Sequence, residues 1–282
     1  MILRYPELDN FLTSVLREDI GKGDITTIAC VPEESMSRGI FTAKESGVIC
    51  GIEVLERVFK LIDERVYLSP FVLDGAFVKE GTIFAKISGH TQSILTGERT
   101  ALNLIQRLSG IATATAKAVQ EVSGTNVKII DTRKTVPGMR VLDKYAVKCG
   151  GGENHRFGLY DGFLIKDNHI SAAGSIMRAV ELVRRYQIHI GAVNIPVEVE
   201  TETIRQVYEA VSAEADIIML DNMTTQMMAE AVNIIAGRAK TEASGNMGDR
   251  NLREIAETGV DYISIGALTH TAKALDISLK FE

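Results

Sequence analysis

The sequence predicts an α/β protein in two parts, a β-rich N-terminal part and a larger α/β barrel with fewer than the usual eight strands. Three observations carry that reading. After about residue 120, apolar runs of strand length alternate with helical stretches, the pattern of a parallel sheet buried on both faces. Residues able to do chemistry stand at the C-terminal end of nearly every candidate strand, where a barrel gathers its ligand groups. A doubly wound sheet would concentrate them at one crossover instead. Before residue 90 the chain shows short β runs broken by glycine-containing turns, over 37–89, which read as a separate small sheet.

Residues 5–18 read as a helix, because Leu8, Phe11, Leu12, Val15 and Leu16 recur at helical spacing. The segment EDIGKGDITT (18–27) reads as a loop punctuated by glycine. Between the β runs, residues 52–62 carry a helical apolar period. A long helix covers 93–122, and Ser109, Gly110, Ala112 and Ala114 in its middle predict a break or a close contact. The strands that follow are 127–131, 162–166, 195–200, 216–220, 239–243 and 261–265. Helices are expected near 138–149, 174–187, 203–213, 224–237 and 248–258. Thr203 or Thr201 is placed to cap one of these, and Asp249 or Asn246 another. The last residues, ALDISLKFE, read as one more strand that the barrel does not need.

A chain of 282 residues can hold one large or two modest cores. No run of 18 apolar residues occurs, so no membrane span is expected. The N-terminus lacks an apolar secretory stretch. Three widely spaced cysteines, Cys30, Cys50 and Cys149, suggest neither a disulfide framework nor a metal knuckle. The reducing cytoplasm is therefore the expected compartment, and Cys149 reads as an inert residue at a helix end.

Charge is unevenly spread. The chain has 31 Lys+Arg against 37 Asp+Glu, yet residues 131–170 hold Arg133, Lys134, Arg140, Lys144, Lys148, Arg156 and Lys166. A local basic cluster in an acidic protein suits a small polyanion and argues against nucleic acid. Arg133 and Lys134 follow a strand end in TRKTVPG, tied down by Pro137 and Gly138. They are either solvated loop charge or a fork for carboxylate or phosphate. His155 and Arg156 follow Gly150, Gly151 and Gly152, where the backbone must bend tightly or let a ligand close. A satisfied core histidine is the bland alternative. Lys166 ends a strand and is either a Schiff-base amine, as in an aldolase, or a cation for a ligand anion. His169 reads as structural.

Glu200 and Asp221 close two further strands. They are caps and salt-bridge partners, or oxygen ligands for Mg²⁺ brought by a phosphorylated substrate. Glu198 shares the phase of Glu200, and spacing does not rank the two. Ser244–Gly245 and Gly266–Ala267 follow the last two strands, where a barrel usually holds phosphate on backbone N–H groups. There is no G-x-S-x-G, no H-E-x-x-H and no dinucleotide or P-loop motif. A binding-only protein would have little need for cations and acids around one mouth.

Several stretches together resemble one enzyme family. They are EDIGKGDITT (18–27), ERTALNLIQRLSGIAT (98–113), DTRKTVPGMR (131–140), KYAVKCGGGENHRFGLYDGFLIKDNHI (144–170), VEVE (197–200), IIMLDNM (217–223), EASG (242–245) and GVDYISIGALTH (259–270). The chain resembles the nicotinate-nucleotide pyrophosphorylases (carboxylating), or quinolinate phosphoribosyltransferases. The resemblance implies an N-terminal α/β sandwich domain over 1–112 and an incomplete, open α/β barrel of about six or seven strands over 113–274. Residues 275–282 would return to the sandwich. It implies transfer of phosphoribose from phosphoribosyl pyrophosphate to quinolinate, with loss of pyrophosphate and CO₂, in NAD biosynthesis.

By the same resemblance, Arg133, His155 and Arg156 bind the quinolinate carboxylates, with Arg99 supplied by the partner of a homodimer. Lys134 and Lys166 serve the phosphate and carboxylate site. Glu200 and Asp221 handle the ribose hydroxyls and Mg²⁺, and Ser244, Gly245, Gly266 and Ala267 form the 5′-phosphate cradle. Lys134, Lys166, Glu200 and Asp221 would be the catalytic set. Some members form hexamers. The remaining alternatives are a phosphoribosyltransferase for nicotinate or another aromatic acid, and a Schiff-base aldolase using Lys166.

Overall fold

The computed structural model describes residues 7–282; the first two residues of the helix expected at 5–18 lie outside them. The chain opens with α1 (Leu8–Ile20), whose Leu8, Leu12 and Leu16 stripe is buried. Next comes α2 (Ile25–Cys30), capped by the Asp24 carboxylate, which accepts from the Thr27 N–H at 3.0 Å. The loop expected at 18–27 is thus only the turn between two helices, because Asp24 offers the second helix its cap. There follow β1 (Met36–Ala43), β2 (Gly47–Val48), α3 (Ile52–Ile62), β3 (Tyr67–Pro70), β4 (Phe77–Val78), β5 (Ile83–His90) and α4 (Thr91–Glu121). The second half contains β6 (Lys128–Ile130), α5 (Arg140–Cys149), β7 (Phe163–Ile165), α6 (Asp167–Ala173), α7 (Ile176–Ile190), β8 (Val197–Thr201) and α8 (Ile204–Ser212). It ends with β9 (Ile217–Asp221), α9 (Thr225–Ile235), β10 (Lys240–Ser244), α10 (Leu252–Ala256), β11 (Tyr262–Ser264), α11 (Ala267–His270) and β12 (Ile277–Phe281).

These elements form two compact units. The first takes the chain up to residue 116, then 136–151 and 272–282; the second takes 117–135 and 152–271. The first unit is built on a four-stranded antiparallel sheet in the order β12-β1-β5-β3. The C-terminal strand is therefore at home here, with Lys280 opposite Ile40 of β1. Phe41 of β1, Phe84 of β5 and Phe59 of α3 form an aromatic core, with ring centroids 6.0 and 6.3 Å apart in the two Phe41 pairs. Tilted rings at such distances gain more than their buried area alone.

The helix α4 runs unbroken through its small residues, so of the two expectations the close contact is what the structure has. A Cβ at Gly110 would lie 2.1 Å from the Lys273 carbonyl oxygen. The helix α5 also belongs to this unit. Its Asp143 is fully buried and takes a two-point bond from Arg107 of α4, at 3.0 and 2.9 Å.

The second unit is a six-stranded parallel sheet in the order β6-β11-β10-β9-β8-β7. From β7 to β11 each strand lies beside the next in sequence, and β6 pairs with β11. The strands β6 and β7 stand at opposite ends of the order, so the barrel is open between them. Glu153 lines this opening through a parallel bridge to Ile130. Helices cover the successive crossovers, as parallel strands require.

Three local outcomes refine the expected elements. The helix expected at 174–187 is α7, started by the Ser175 cap; Gly174, with φ 96°, ends the short α6 before it, a helix not expected from the sequence. Thr203 caps α8 with Gln206 reciprocating. The cap of α10 is Asn251, which accepts from Arg253 and Glu254 N–H groups, in place of the expected Asp249 or Asn246. Among the described residues no helix is long and apolar enough to cross a membrane. All three cysteines are free thiols.

Candidate active site

The C-terminal strand ends of the second unit surround a cavity of about 510 Å³. Thr132, Arg133 and Lys134 enter from the end of β6, Lys166 from β7, Glu200 from β8, Asp221 from β9, and Ser244 and Gly245 from β10. His155 and Arg156 line the same cavity. Each expected strand-end residue up to Gly245 is therefore brought to one mouth. Gly266 and Ala267 stand beside it, where Gly266 makes room for a lysine: a Cβ there would fall 2.9 Å from Lys134 Cδ. The Thr269 hydroxyl donates to the Lys134 carbonyl at 2.8 Å and clasps that loop. Arg99 lies on α4 of the first unit with an exposed side chain.

The loop carrying His155 is laid along β6 by backbone bonds. Glu153 N–H donates to Ile129 at 2.8 Å and Asp131 N–H to Glu153 at 3.2 Å. The buried Asp131 carboxylate then accepts from the His155 N–H at 2.9 Å. The acid at the strand end is thus a brace for the histidine.

The cations of the mouth are only partly matched by protein anions. Arg156 donates from Nη1 to the Gly162 carbonyl at 3.0 Å. Burial, and then the nearby Arg133 guanidinium, press its pKa down. The Arg133 Nε is buried and has no partner. Two guanidiniums that repel in one cavity, one with an orphaned donor, form a seat for an anion. Lys166 Nζ is bonded to the Glu200 carboxylate. A carboxylate partner on Nζ suits the ligand-anion reading of Lys166 better than an aldolase's nucleophile. His169 accepts the Lys166 backbone N–H at 3.0 Å and fixes the start of α6, so its role is structural.

His155 reaches two carboxylates, Glu198 at 3.0 Å and Glu242 at 3.4 Å. Burial disfavours a charged ring; the two acids outweigh it and hold the ring's pKa up, at about 10. The ring Nδ1 faces the Arg156 N–H at 2.7 Å, and Nε2 donates to the acid pair. Burial, and then the Glu242 charge, push the Glu198 carboxyl up to about 7, with His155 opposing. Glu198 and Glu200 project from the same side of β8. Glu200 lines the mouth, while Glu198 lines a second cavity of about 210 Å³ that shares His155, Arg156 and Glu242 with it.

Glu242 is the residue that sequence reasoning missed. Its signal was present: an acid in the middle of a strand that is otherwise buried on both faces needs a partner. Gly245, with φ 96°, has no room for a side chain, since a Cβ would lie 2.3 Å from Asn222 Oδ1. Asn222 in turn donates to Asp221 at 2.7 Å. Glu200 and Asp221 come from adjacent parallel strands, Glu200 opposite Met219. Their all-oxygen donor set and shared cavity suit Mg²⁺, which needs one or two carboxylates and keeps its waters.

Cations, acids and a tight glycine turn at the strand ends of an open α/β barrel define an enzyme site for a small polyanionic substrate. The known proteins narrow this class. The sequence profile described as quinolinate phosphoribosyl transferase, C-terminal domain, matches residues 111–280, and the N-terminal domain profile matches 24–109. A Bacillus subtilis protein named as a probable nicotinate-nucleotide pyrophosphorylase (carboxylating) is 45% identical, covering 98% of this chain and 94% of its own. The solved NadC of Streptococcus pyogenes is 40% identical with a TM-score of 0.90, covering 98% of this chain and 97% of its own. The nicotinate-nucleotide pyrophosphorylase of Ehrlichia chaffeensis is 42% identical with a TM-score of 0.91, covering 97% and 98%. The chain belongs to the quinolinate phosphoribosyltransferase family.

Proposed function

We propose that this chain converts quinolinate and phosphoribosyl pyrophosphate into nicotinate mononucleotide, pyrophosphate and CO₂, a step of NAD biosynthesis. The observation that carries this reading is the pair Arg133 and Arg156, two repelling guanidiniums in one cavity with the Arg133 Nε unmatched. A pyridine dicarboxylate supplies two anions at a fixed spacing for such a pair. Arg133, Arg156 and His155 hold the ring carboxylates. Lys134 and Lys166 meet phosphate and carboxylate charge. Ser244, Gly245, Gly266 and Ala267 receive the 5′-phosphate on backbone N–H groups. Glu200 and Asp221 orient the ribose hydroxyls and would hold Mg²⁺. When bound, that ion supplies positive charge to the leaving pyrophosphate.

The ring nitrogen forms its bond to the anomeric carbon as the bond to pyrophosphate breaks, and the electron pair departs with pyrophosphate. The lysines and arginines stabilise that growing charge in place. The quaternised ring then accommodates the electron pair left at C2 when CO₂ departs, and C2 takes up a proton. The protein's tasks are to hold the ring, align the sugar and exclude water. Lys134, Lys166, Glu200 and Asp221 are the catalytic group in this reading.

The active form is a homodimer in which Arg99 of one subunit completes the other's site, and a hexamer would be the larger alternative. The profile boundary near residue 110 supports the division into 1–112 and 113–274, and β12 beside β1 supports the return of 275–282, while residues 136–151 go with the first unit. The free thiols agree with a cytoplasmic setting.

Initial rates with phosphoribosyl pyrophosphate and either quinolinate or nicotinate test the proposal. Quinolinate should turn over with release of CO₂, and chelation should stop the reaction. Turnover of nicotinate but not quinolinate would sink it, as would borohydride trapping of a carbonyl substrate on Lys166. For Arg99, mixing inactive Arg99→Ala and Lys166→Ala proteins should restore part of the activity through mixed dimers. No recovery would remove the shared site.

A further inference from the structure

The first unit brings Cys50 and Cys149 together, although they stand far apart in the sequence. Their sulfurs and a carboxylate oxygen of Asp74 all lie within 4.8 Å of one another. Cys50 is fully buried just before α3, and Cys149 is the half-buried last residue of α5. One carboxylate frames both. Asp74 Oδ1 accepts from the Gly51 and Ile52 N–H groups, each at 2.9 Å, next to Cys50. Its Oδ2 accepts from the Tyr145 hydroxyl at 2.7 Å, one helical turn before Cys149. Close packing holds the helix end as well: a Cβ at Gly150 would lie 2.4 Å from the Ala112 carbonyl oxygen.

We propose that Cys50 and Cys149 are a redox-active dithiol, a modification site that a low-molecular-weight disulfide converts into an intramolecular disulfide. The division of labour follows from exposure. Cys149 is the less buried of the two residues, and Cys50 is the fully buried one. The neighbouring Cys50 thiol draws the Cys149 thiol pKa down against its burial, while burial pushes Cys50 up. Cys149 thus attacks and Cys50 resolves.

The chemistry balances. The Cys149 thiolate attacks one sulfur of the small disulfide, forming a mixed disulfide and releasing one small thiolate. Cys50 attacks the Cys149 sulfur and gives its proton to the second small thiolate as that group leaves. Two protein thiols are oxidised by two electrons, and one small disulfide is reduced to two thiols. A disulfide needs sulfurs about 2.05 Å apart. The two sulfurs start within 4.8 Å of one another. The carboxylate and hydroxyl beside the pair distinguish it from two small apolar core residues.

The test uses the full chain with Cys30→Ser, which removes the exposed third thiol. The protein is incubated with oxidised glutathione, denatured, alkylated and weighed. Both thiols should disappear together, with no retained glutathione, and return on reduction; a peptide map should link the two cysteines. Cys50→Ala should stop at glutathione retained on Cys149, and Cys149→Ser should leave Cys50 unreacted. Two thiols still alkylatable after this treatment would overturn the proposal. So would glutathione held on Cys149 with Cys50 intact, or protein that carries zinc on the cluster and resists oxidation. If a cysteine variant fails to fold, the parent's thiol count still decides. That count is independent of the catalytic assay.

Discussion

Two arginines make the contrast between the units plain. Arg107 of the first unit is fully used, its guanidinium bonded at two points to the buried Asp143. Arg133 of the second unit lies against Arg156 with its Nε unmatched. The first pair holds two helices together and has nothing left to offer. The second is held against its own repulsion by the fold around it, and a ligand can supply what is missing. Structural and functional charge are told apart here by what remains unsatisfied, not by how basic a stretch is.

Substitutions should widen this contrast or abolish it. Asp143→Ala removes the two-point bond that the half-buried Arg107 makes and should cost about 3 kcal/mol of stability. The midpoint of urea unfolding measures it. A loss of activity at unchanged stability would mean the pair is not structural.

Glu198 puts the second unit on a pH axis. Its carboxyl is held up at about 7 by burial and by Glu242, so the folded state binds the proton more tightly than the unfolded chain. The stabilisation is present below the usual glutamate range and is lost as pH rises through about 7. Glu198→Gln should therefore gain on the wild type as pH rises from about 5 to 8, by on the order of 3 kcal/mol at most. Melting temperatures of both proteins across that range check it; a constant difference would refute the buried-acid account.

Arg133→Ala should lower kcat/KM for quinolinate about 10- to 100-fold, the equivalent of about 1.5–3 kcal/mol. Its melting temperature should hold or rise, since repulsion with Arg156 is relieved. Stability lost with activity kept would make Arg133 another Arg107. Gly110→Ala tests the packing of the first unit alone and should cost about 1–3 kcal/mol, because the new methyl meets backbone at Lys273. Denaturant titration reads it, and a neutral result would refute the close approach. Asn251→Ala, removing the α10 cap in the second unit, should cost only about 1 kcal/mol. Steady-state rates should not move.

Much of the second unit was legible from the chain. Val197, Val199, Ile218 and Leu220 are apolar because their strands are buried on both faces, and local pattern reports that burial directly. Arg133, Lys166, Glu200 and Asp221 were legible because strand ends are where a barrel keeps its chemistry. Boundaries were less so. The turn at Gly174 and the cap at Asn251 depend on a few residues' dihedrals, which apolar periodicity does not sense. Glu242 was read past because one acid in a strand announces a partner without naming it.

The sequence by itself determined the alternation of strands and helices, the apolar stripe of the first helix, the basic cluster and the family. These follow from composition and spacing along the chain. Only the tertiary structure decided which charges are already matched. It paired Arg107 with Asp143, Lys166 with Glu200 and His155 with Glu198 and Glu242; it left Arg133 Nε alone and set Cys50 beside Cys149. The reason is physical. Hydrophobic pattern is a property of neighbours in sequence, whereas the pairing of a buried charge depends on neighbours in space that the chain brings together only when it folds.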